Sequence, residues 1–328
     1  MSRRILAMAA IGLLTLSACS GDGDASARAA AEPTPAVTSE AAPPVPELPV
    51  WQPRAPIGTP RDDFATAVVG DQIWTFGGMT GARGTRLTST EVYDAGEDTW
   101  RYGPEVPTGL ASFEGVAVGD QVYLFGGLDA QAEASDYAAV LDTKTGTWTK
   151  LPPLPHARYA HDVGVVDGLV YVVGGESDGE YVEQVDVFDP ATDTWTDGGD
   201  MPHPRSSIDL VPLDGVIYVL GGWEVSEPTG RVQIYDPATK TWTNGTPLPQ
   251  PMSRGGAAAA DGRIWVSHHE FSAVYDPATE AWSPANPMTV PRHGLGYVAV
   301  GDRIYGIGGC TQSPLRDVSF VDVLDVRG

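Results

Sequence analysis

The sequence is poor in cysteine, in basic residues and in long apolar runs. Its two cysteines, Cys19 and Cys310, cannot make a disulfide framework. A fold of this length must therefore rest on a buried core. Lys and Arg number 20 against 43 Asp and Glu, a formal charge of −23. Such a surface repels nucleic acid and anionic lipid head groups, so no nucleic-acid partner is expected. The apolar run from Ile5 to Leu16 is too short to stay in a membrane as a spanning helix. No Gly-x-x-x-x-Gly-Lys phosphate loop and no dense Cys/His cluster is present.

What the chain does have is a period. Trp51, Trp100, Trp148, Trp195, Trp242 and Trp282 lie 40 to 49 residues apart. Counting 26 residues on from each gives Gly77, Gly126, Gly174, Gly221, His268 and Gly308. Five of these open a Gly-Gly pair, and the fifth repeat carries His268-His269 instead. A period of this length marks a propeller or solenoid. Within the third unit, Tyr159 to Val166 reads as a strand, Asp167-Gly168 as a two-residue hairpin turn, and Leu169 to Val173 as the second strand. Glu183 to Phe188 and the segment carrying Trp195 supply the third and fourth. Four short antiparallel strands make one propeller blade.

The other units repeat the pattern, with turns at Gly70-Asp71, Gly119-Asp120, Asp214-Gly215, Asp261-Gly262 and Gly301-Asp302. Tyr93, Leu141, Phe188, Tyr235 and Tyr275 each stand seven residues before a Trp, where large side chains suit packing between flat blades. The sixth unit lacks its fourth strand, while Trp51 precedes the first unit unpaired. The expected fold is all-β: a six-bladed propeller over residues 51–328, the last blade closed by the N-terminal strand carrying Trp51. Closure of that kind removes two exposed sheet edges.

Gly-Gly after an apolar strand, then Tyr, then Trp seven residues later, with Asp-Pro-Ala-Thr-x-Thr-Trp turns, resembles the kelch repeat. The resemblance covers everything from Trp51 onward. It implies the galactose-oxidase/kelch-type propeller and leaves function open, because that family includes binding scaffolds, a copper oxidase of galactose and a sialic-acid mutarotase. A copper oxidase of that type would need a Tyr–Cys pair, two histidine ligands and a further Tyr, for which this chain offers no match.

The N-terminal residues carry an address. Arg3 and Arg4 precede the apolar run, and Leu16-Ser17-Ala18-Cys19 resembles a bacterial lipobox. Residues 1–18 read as a lipoprotein signal peptide and Cys19 as the lipidated residue, with Sec or twin-arginine export. Losing residues 1–18 removes two arginines and no acids, leaving a charge of −25. Residues 19–50, rich in Ala, Pro, Ser, Thr and Glu, read as a disordered tether with a reach of roughly 30 Å when coiled. The expected location is extracytoplasmic, with the membrane as partner through lipid on Cys19.

Candidate site residues lie on the loops that emerge around the channel mouth. Arg61, Arg158, Arg205 and Arg292 recur ten residues after a Trp, and Arg254 appears two residues later in the fifth unit. These arginines either bond carbonyls of neighbouring loops or ring the mouth to bind carboxylates and sugar hydroxyls. Glu114, Asp162 and Asp209 occupy one repeat position in three consecutive units, with His161 beside Asp162. They pair with arginines or backbone N–H groups, or else form a catalytic acid/base or cation site. Trp223 follows Gly222 and suits either sugar stacking or packing.

The fifth unit shortens the loop after its second strand, leaving His268, His269 and Glu270 accessible. No cofactor is expected. The candidate divalent-metal ligands are one of the two adjacent histidines with Glu270 or His293, because neighbours on a strand point to opposite faces. The expected function is a lipid-anchored binding module that takes a glycan or protein partner on its loop face. The alternatives are a sugar-modifying enzyme of mutarotase or epimerase type and an envelope scaffold protein.

Overall fold

The computed structural model describes residues 48–81, 84–312 and 315–327. The expected signal peptide, the lipidation site Cys19 and residues 20–47 of the tether lie outside the described residues. Within them there is no helix, and every regular element is a strand.

Six antiparallel sheets of four strands succeed one another along the chain. The first, in chain order, runs Ala65–Val69, Gln72–Phe76, Thr90–Asp94 and Thr99–Tyr102. In the sixth, Gly296–Val300, Arg303–Ile307 and Val321–Asp325 are completed by Gln52–Pro53, next to Trp51. Gln52 pairs with Val323 and Pro53 with Asp322. The first two strands of every sheet are joined by the two-residue turn read from the sequence. Asp167-Gly168, Asp214-Gly215 and Asp261-Gly262 are left-handed at both positions, which matches the twist of a hairpin.

Each sheet lies between two others, so its second strand is covered on both faces. Val122–Phe125 and Val170–Val173 are accordingly continuous apolar runs, buried throughout. The core is therefore not one mass but six layers, each shared by two consecutive sheets. Ile73 and Tyr93 of the first sheet meet Tyr305 and Val323 of the sixth in one of them. The Trp of the fourth strand stands cross-strand from the large residue seven positions earlier. Phe188 and Trp195 have ring centroids 4.9 Å apart, and Tyr93 and Trp100 5.0 Å. Such pairs contribute about 0.5–1.5 kcal/mol beyond their buried area. The Trp100 and Trp282 indole N–H groups donate to the carbonyls of Ala55 and Thr246, tying each outer strand to the preceding sheet.

The innermost strands start from a ring. Asp63, Ser112, Ala160, Ser207, Arg254 and Gly294 stand twelve residues after the six repeat tryptophans, and all have φ between 50° and 58°. The N–H of each donates to the carbonyl of its predecessor: Ser112 to Asp63, Ala160 to Ser112, Ser207 to Ala160, Arg254 to Ser207, Gly294 to Arg254 and Asp63 to Gly294, at 2.6–3.0 Å. This girdle changes one sequence expectation. The strand expected from Tyr159 covers only Asp162–Val166, because Ala160 has left the extended region to enter the ring. The Gly-Gly pairs have a matching role. At Gly175, φ is +95° and a Cβ would meet the Tyr159 carbonyl oxygen at 2.8 Å, so only glycine lets the loop pass behind the girdle.

Candidate functional site

The recurrent arginines are not at the mouth. Arg61, Arg158, Arg205 and Arg292 are 0% exposed. Arg158 donates to the carbonyls of His156, Gly174 and Gln184 and to Asp186 at 2.5 Å. Arg61 bonds the carbonyls of Gly77 and Ser89 and pairs with Glu91 at 2.7 Å. Arg292 bonds the Gly306 carbonyl and pairs with Asp322 at 2.8 Å. Arg205 has no carboxylate; it donates to the Gly221 carbonyl and to the Gln233 side chain. Burial consequently lowers Arg205 to about 9 and Arg158 to about 10. Each guanidinium cross-links its own sheet, and none of the four is free for a ligand at the mouth.

A sequence signal for this was available and unused. The arginine partners Glu91, Asp186, Gln233 and Asp322 share one position on the third strand. In the two sheets where the arginine is replaced by Leu110 or Met252, that position holds Ala139 or Ala273. The polar pair is kept or lost as a unit.

The carboxylates do converge. A cavity of ≈ 230 Å³ lies on the axis beneath the girdle, lined among others by Asp63, Glu114, Asp162, Asp209, Arg254 and Tyr297. Glu114, Asp162 and Asp209 each begin the innermost strand of their sheet, which aims them inward together. Asp162 accepts from the N–H groups of Val163 and Leu210, both at 2.6 Å, and so bridges two sheets. Asp209 is 8% exposed and its Oδ2 has no hydrogen-bond partner. Burial pushes Asp162 up to about 7. Burial and the Asp162 charge raise Glu114 and Asp209 well above the usual carboxylate range. No ion pair among the described residues reaches any of the three, so the expected pairing with arginines does not occur.

Arg254 differs from the other arginines. Its backbone belongs to the girdle, its side chain is 41% exposed, and it pairs with Asp63 across the mouth. It is the member of the arginine set that a ligand can reach.

His161 turns away from the cavity's acids. It stands where other sheets carry Phe64, Phe113, Ile208 and Leu295, and its ring packs toward Gly126 of the preceding sheet. Burial drops it to about 3, and neither ring nitrogen meets hydrogen-bond geometry. It fills a core position, which leaves Glu114, Asp162 and Asp209 as the acid/base candidates that begin the innermost strands around the cavity.

The loop face carries small hairpins on the other sheets, such as Trp223–Glu224 with Glu227–Pro228. Trp223 is 40% exposed and Val225, at the tip, 86%. The fifth sheet lacks such a hairpin: His268 pairs directly with Phe271 across His269-Glu270. One inference from the sequence fails here. His269 is not on the strand but in the turn, with φ +51°, so the rings of His268 and His269 do not diverge but meet at 4.3 Å. His293 lies next to them, 5.0 Å from His269 between centroids. Burial lowers His268 and His293 to about 4, and His269 more mildly. Glu270 is exposed at the turn.

Two further features escaped the sequence reading. Asp62, Cys310 and Asp317 bring one possible ligand atom each within 4.8 Å of one another. Gly175-Glu176-Ser177-Asp178-Gly179 has the spacing of a nucleophile elbow, yet it forms a hairpin between Glu176–Ser177 and Glu180–Tyr181, with no helix behind the serine.

The model of the KLHDC2/KLHL20/DRC7 Kelch-repeats domain matches residues 65–267 and 112–309. Kelch-like protein terF of Aspergillus terreus is 30% identical over 125 residues, 35% of this chain and 27% of that protein. Kelch-like protein 15 of Homo sapiens is 27% identical over 139 residues, 38% of this chain and 23% of that protein. The chain thus spans about a quarter of the length of these relatives. Among solved structures, that of YjhT superposes with a TM-score of 0.72 at 15% identity, covering 82% of this chain and 95% of that one, a likeness of fold.

Two outcomes are expected from this geometry. Asp186→Ala strands the Arg158 charge inside the third sheet and should cost about 3–5 kcal/mol in denaturant unfolding. The double variant Arg158→Leu/Asp186→Ala, which copies the Leu110/Ala139 arrangement, should recover most of that loss. The second outcome concerns pH. Asp162 is raised from 3.8 to about 7, so the folded state holds a proton that the unfolded chain releases. This contribution favours folding below about pH 4 and is lost as pH rises toward 7. Asp209→Asn relieves the like-charge repulsion. It should raise the melting temperature at pH 7.5 by roughly 2–4 °C and by much less at pH 4.5.

Proposed function

The chain belongs to the kelch-repeat family, and on that premise we propose that it is a binding module whose loop face receives a partner protein. A cationic side chain of the partner enters the axial cavity. The observation that carries this reading is the set of three carboxylates, Glu114, Asp162 and Asp209, in one cavity whose Arg254 is paired with Asp63, so that none of the three is in an ion pair among the described residues. Buried charges of one sign favour either protons or an incoming cation. A cavity of ≈ 230 Å³ admits a lysine or arginine side chain. Around it, Trp223 and Val225 offer an exposed apolar contact, and the low wall at the fifth sheet leaves an approach. The charge of −23 would steer a basic partner over a longer range.

A second reading has its own support. Asp162 near neutrality is poised for general acid–base work on a sugar, as in a mutarotase or epimerase. A glycan end group could also bind there through its hydroxyls. The scaffold reading finds less: the exposed large apolar residues among those described are few, with Trp223 and Val225 on one hairpin, Leu48 and Val50 ahead of the first strand, and Tyr102 and Phe320 elsewhere. We further propose that the module is an extracytoplasmic lipoprotein, held to the membrane through Cys19 on the residue 19–50 tether ahead of the 51–328 propeller. The lipobox-like Leu16-Ser17-Ala18-Cys19 supports that address.

A thermal-shift series on the full chain separates the readings. Peptide amides carrying lysine or arginine should raise the melting temperature, the stabilisation reaching about 2.7 kcal/mol at a hundred times the dissociation constant. Glu114→Gln/Asp209→Asn should abolish the shift. Shifts with N-acetylated sugars and none with basic peptides would reject the cationic side chain and favour the sugar site. The address is tested by Cys19→Ser, which should move the protein from the detergent phase to the aqueous phase. Retention of that variant in the membrane fraction would refute the lipid anchor.

A further inference from the structure

The fifth sheet is where the repeat breaks, and the break gathers imidazoles. Elsewhere a Gly-Gly pair leads into a loop-face hairpin. Here the strand Arg263–His268 turns directly through His269-Glu270 into Phe271–Asp276. The left-handed φ of +51° at His269 swings its ring out of strand alternation. The His269 N–H donates to the Arg292 carbonyl at 3.3 Å and pins the turn against the short strand Arg292–His293, which pairs with Cys310–Gln312 in a separate three-stranded sheet. His269 thereby stands between His268, at 4.3 Å, and His293, at 5.0 Å between centroids. The Nδ1 atoms of His269 and His293 are both buried without a hydrogen-bond partner.

We propose that His269 and His293 hold a divalent late first-row transition-metal ion, with His268 beside His269 and water in the remaining positions. Two imidazoles on one tetrahedral ion at about 2.0–2.1 Å per bond have ring centres about 5 Å apart, which is the separation these rings already show. Imidazole donors select zinc, copper or nickel over magnesium and calcium. Glu270 adds a negative charge beside His269. Arg254 is the cation near His293, and its charge is met by the ion pair with Asp63.

A rival donor set lies next door, since His293 is the cross-strand partner of Cys310. The cluster Asp62, Cys310 and Asp317 is compact, but two of its groups are engaged. Asp317 accepts the Gly81 N–H at 2.6 Å, and the Cys310 Sγ faces the Thr311 carbonyl. Among the described residues, the Nδ1 atoms of His269 and His293 have no such partners.

The test is titration of chelator-treated full-length protein with zinc, nickel and copper(II) chlorides, followed by calorimetry. Electron paramagnetic resonance of the copper form accompanies it. Expected are one ion per chain, no competition from magnesium or calcium, and copper hyperfine structure from at least two imidazole nitrogens. His269→Gln and His293→Gln should each weaken binding roughly tenfold or more, while their metal-free melting temperatures stay within a few degrees of the parent. Absence of stoichiometric binding would overturn the proposal. So would binding that survives both histidine variants, and its loss in Cys310→Ser alone would move the ion to the thiol cluster.

Discussion

Six backbone hydrogen bonds around the axis organise this molecule. Each link of the girdle accepts from one neighbour and donates to the other, and the last, from Asp63 to Gly294, joins the ends of the repeat. A ring of this kind has no free end at which to fray. It also imposes a conformation, because five of its six residues are left-handed without being glycine. Positive φ costs a side-chain-bearing residue roughly 1–2 kcal/mol, so the ring must be held by what surrounds it. The six apolar layers press consecutive sheets together, and the buried arginines fasten four sheets close to the girdle. The innermost strands then leave the ring in parallel, and whatever side chain stands two residues beyond it meets its five counterparts at the axis. The cavity follows from the closure.

Much of the frame was legible because it rests on residues that repeat for a single physical reason. The tryptophans bury the largest area per residue, the Asp-Gly and Gly-Asp pairs turn hairpins, and the Gly-Gly pairs pass where a Cβ would strike a carbonyl. The girdle was not legible. Asp, Ser, Ala, Ser, Arg and Gly share no chemistry at its six positions, and only the backbone there is common. That is also why the strand expected from Tyr159 came out three residues short.

The candidate site teaches a related lesson about recurrence. The arginines were read either as bonding carbonyls or as ringing the mouth, and the first reading holds, since recurrence is what a structural cross-link in a repeat protein must show. Their partners, Glu91, Asp186, Gln233 and Asp322, give the role away: where Leu110 and Met252 replace the arginine, Ala139 and Ala273 replace the partner. His161 was a candidate acid or base because it stands beside Asp162, yet its repeat position is a core position filled by Phe64, Phe113, Ile208 and Leu295 in four other units. The adjacent histidines were separated on the assumption that both lay on a strand. One turn residue with positive φ undid that, and turn geometry at His269 cannot be read from a loop that departs from its repeat.

What distinguishes the axial acids from the buried arginines is compensation. Arg61, Arg158 and Arg292 each have a carboxylate, and even Arg205 is satisfied by carbonyls and Gln233. A sheet that merely needed to be stable could leave the matching axial position small, as the first, fifth and sixth do with Ala65, Gly256 and Gly296. In the second, third and fourth sheets, Glu114, Asp162 and Asp209 instead crowd like charges into one cavity, and Asp209 Oδ2 is left without a partner. Asp162 recovers part of the cost by accepting two backbone N–H bonds, one of them from the next sheet, and so has a structural use. Glu114 meets only the N–H of Gly115 in its own strand, and Asp209 Oδ2 has no partner among the described residues. On the proposed reading, a cation entering from the mouth offsets the crowding of like charges that the cavity itself leaves uncompensated.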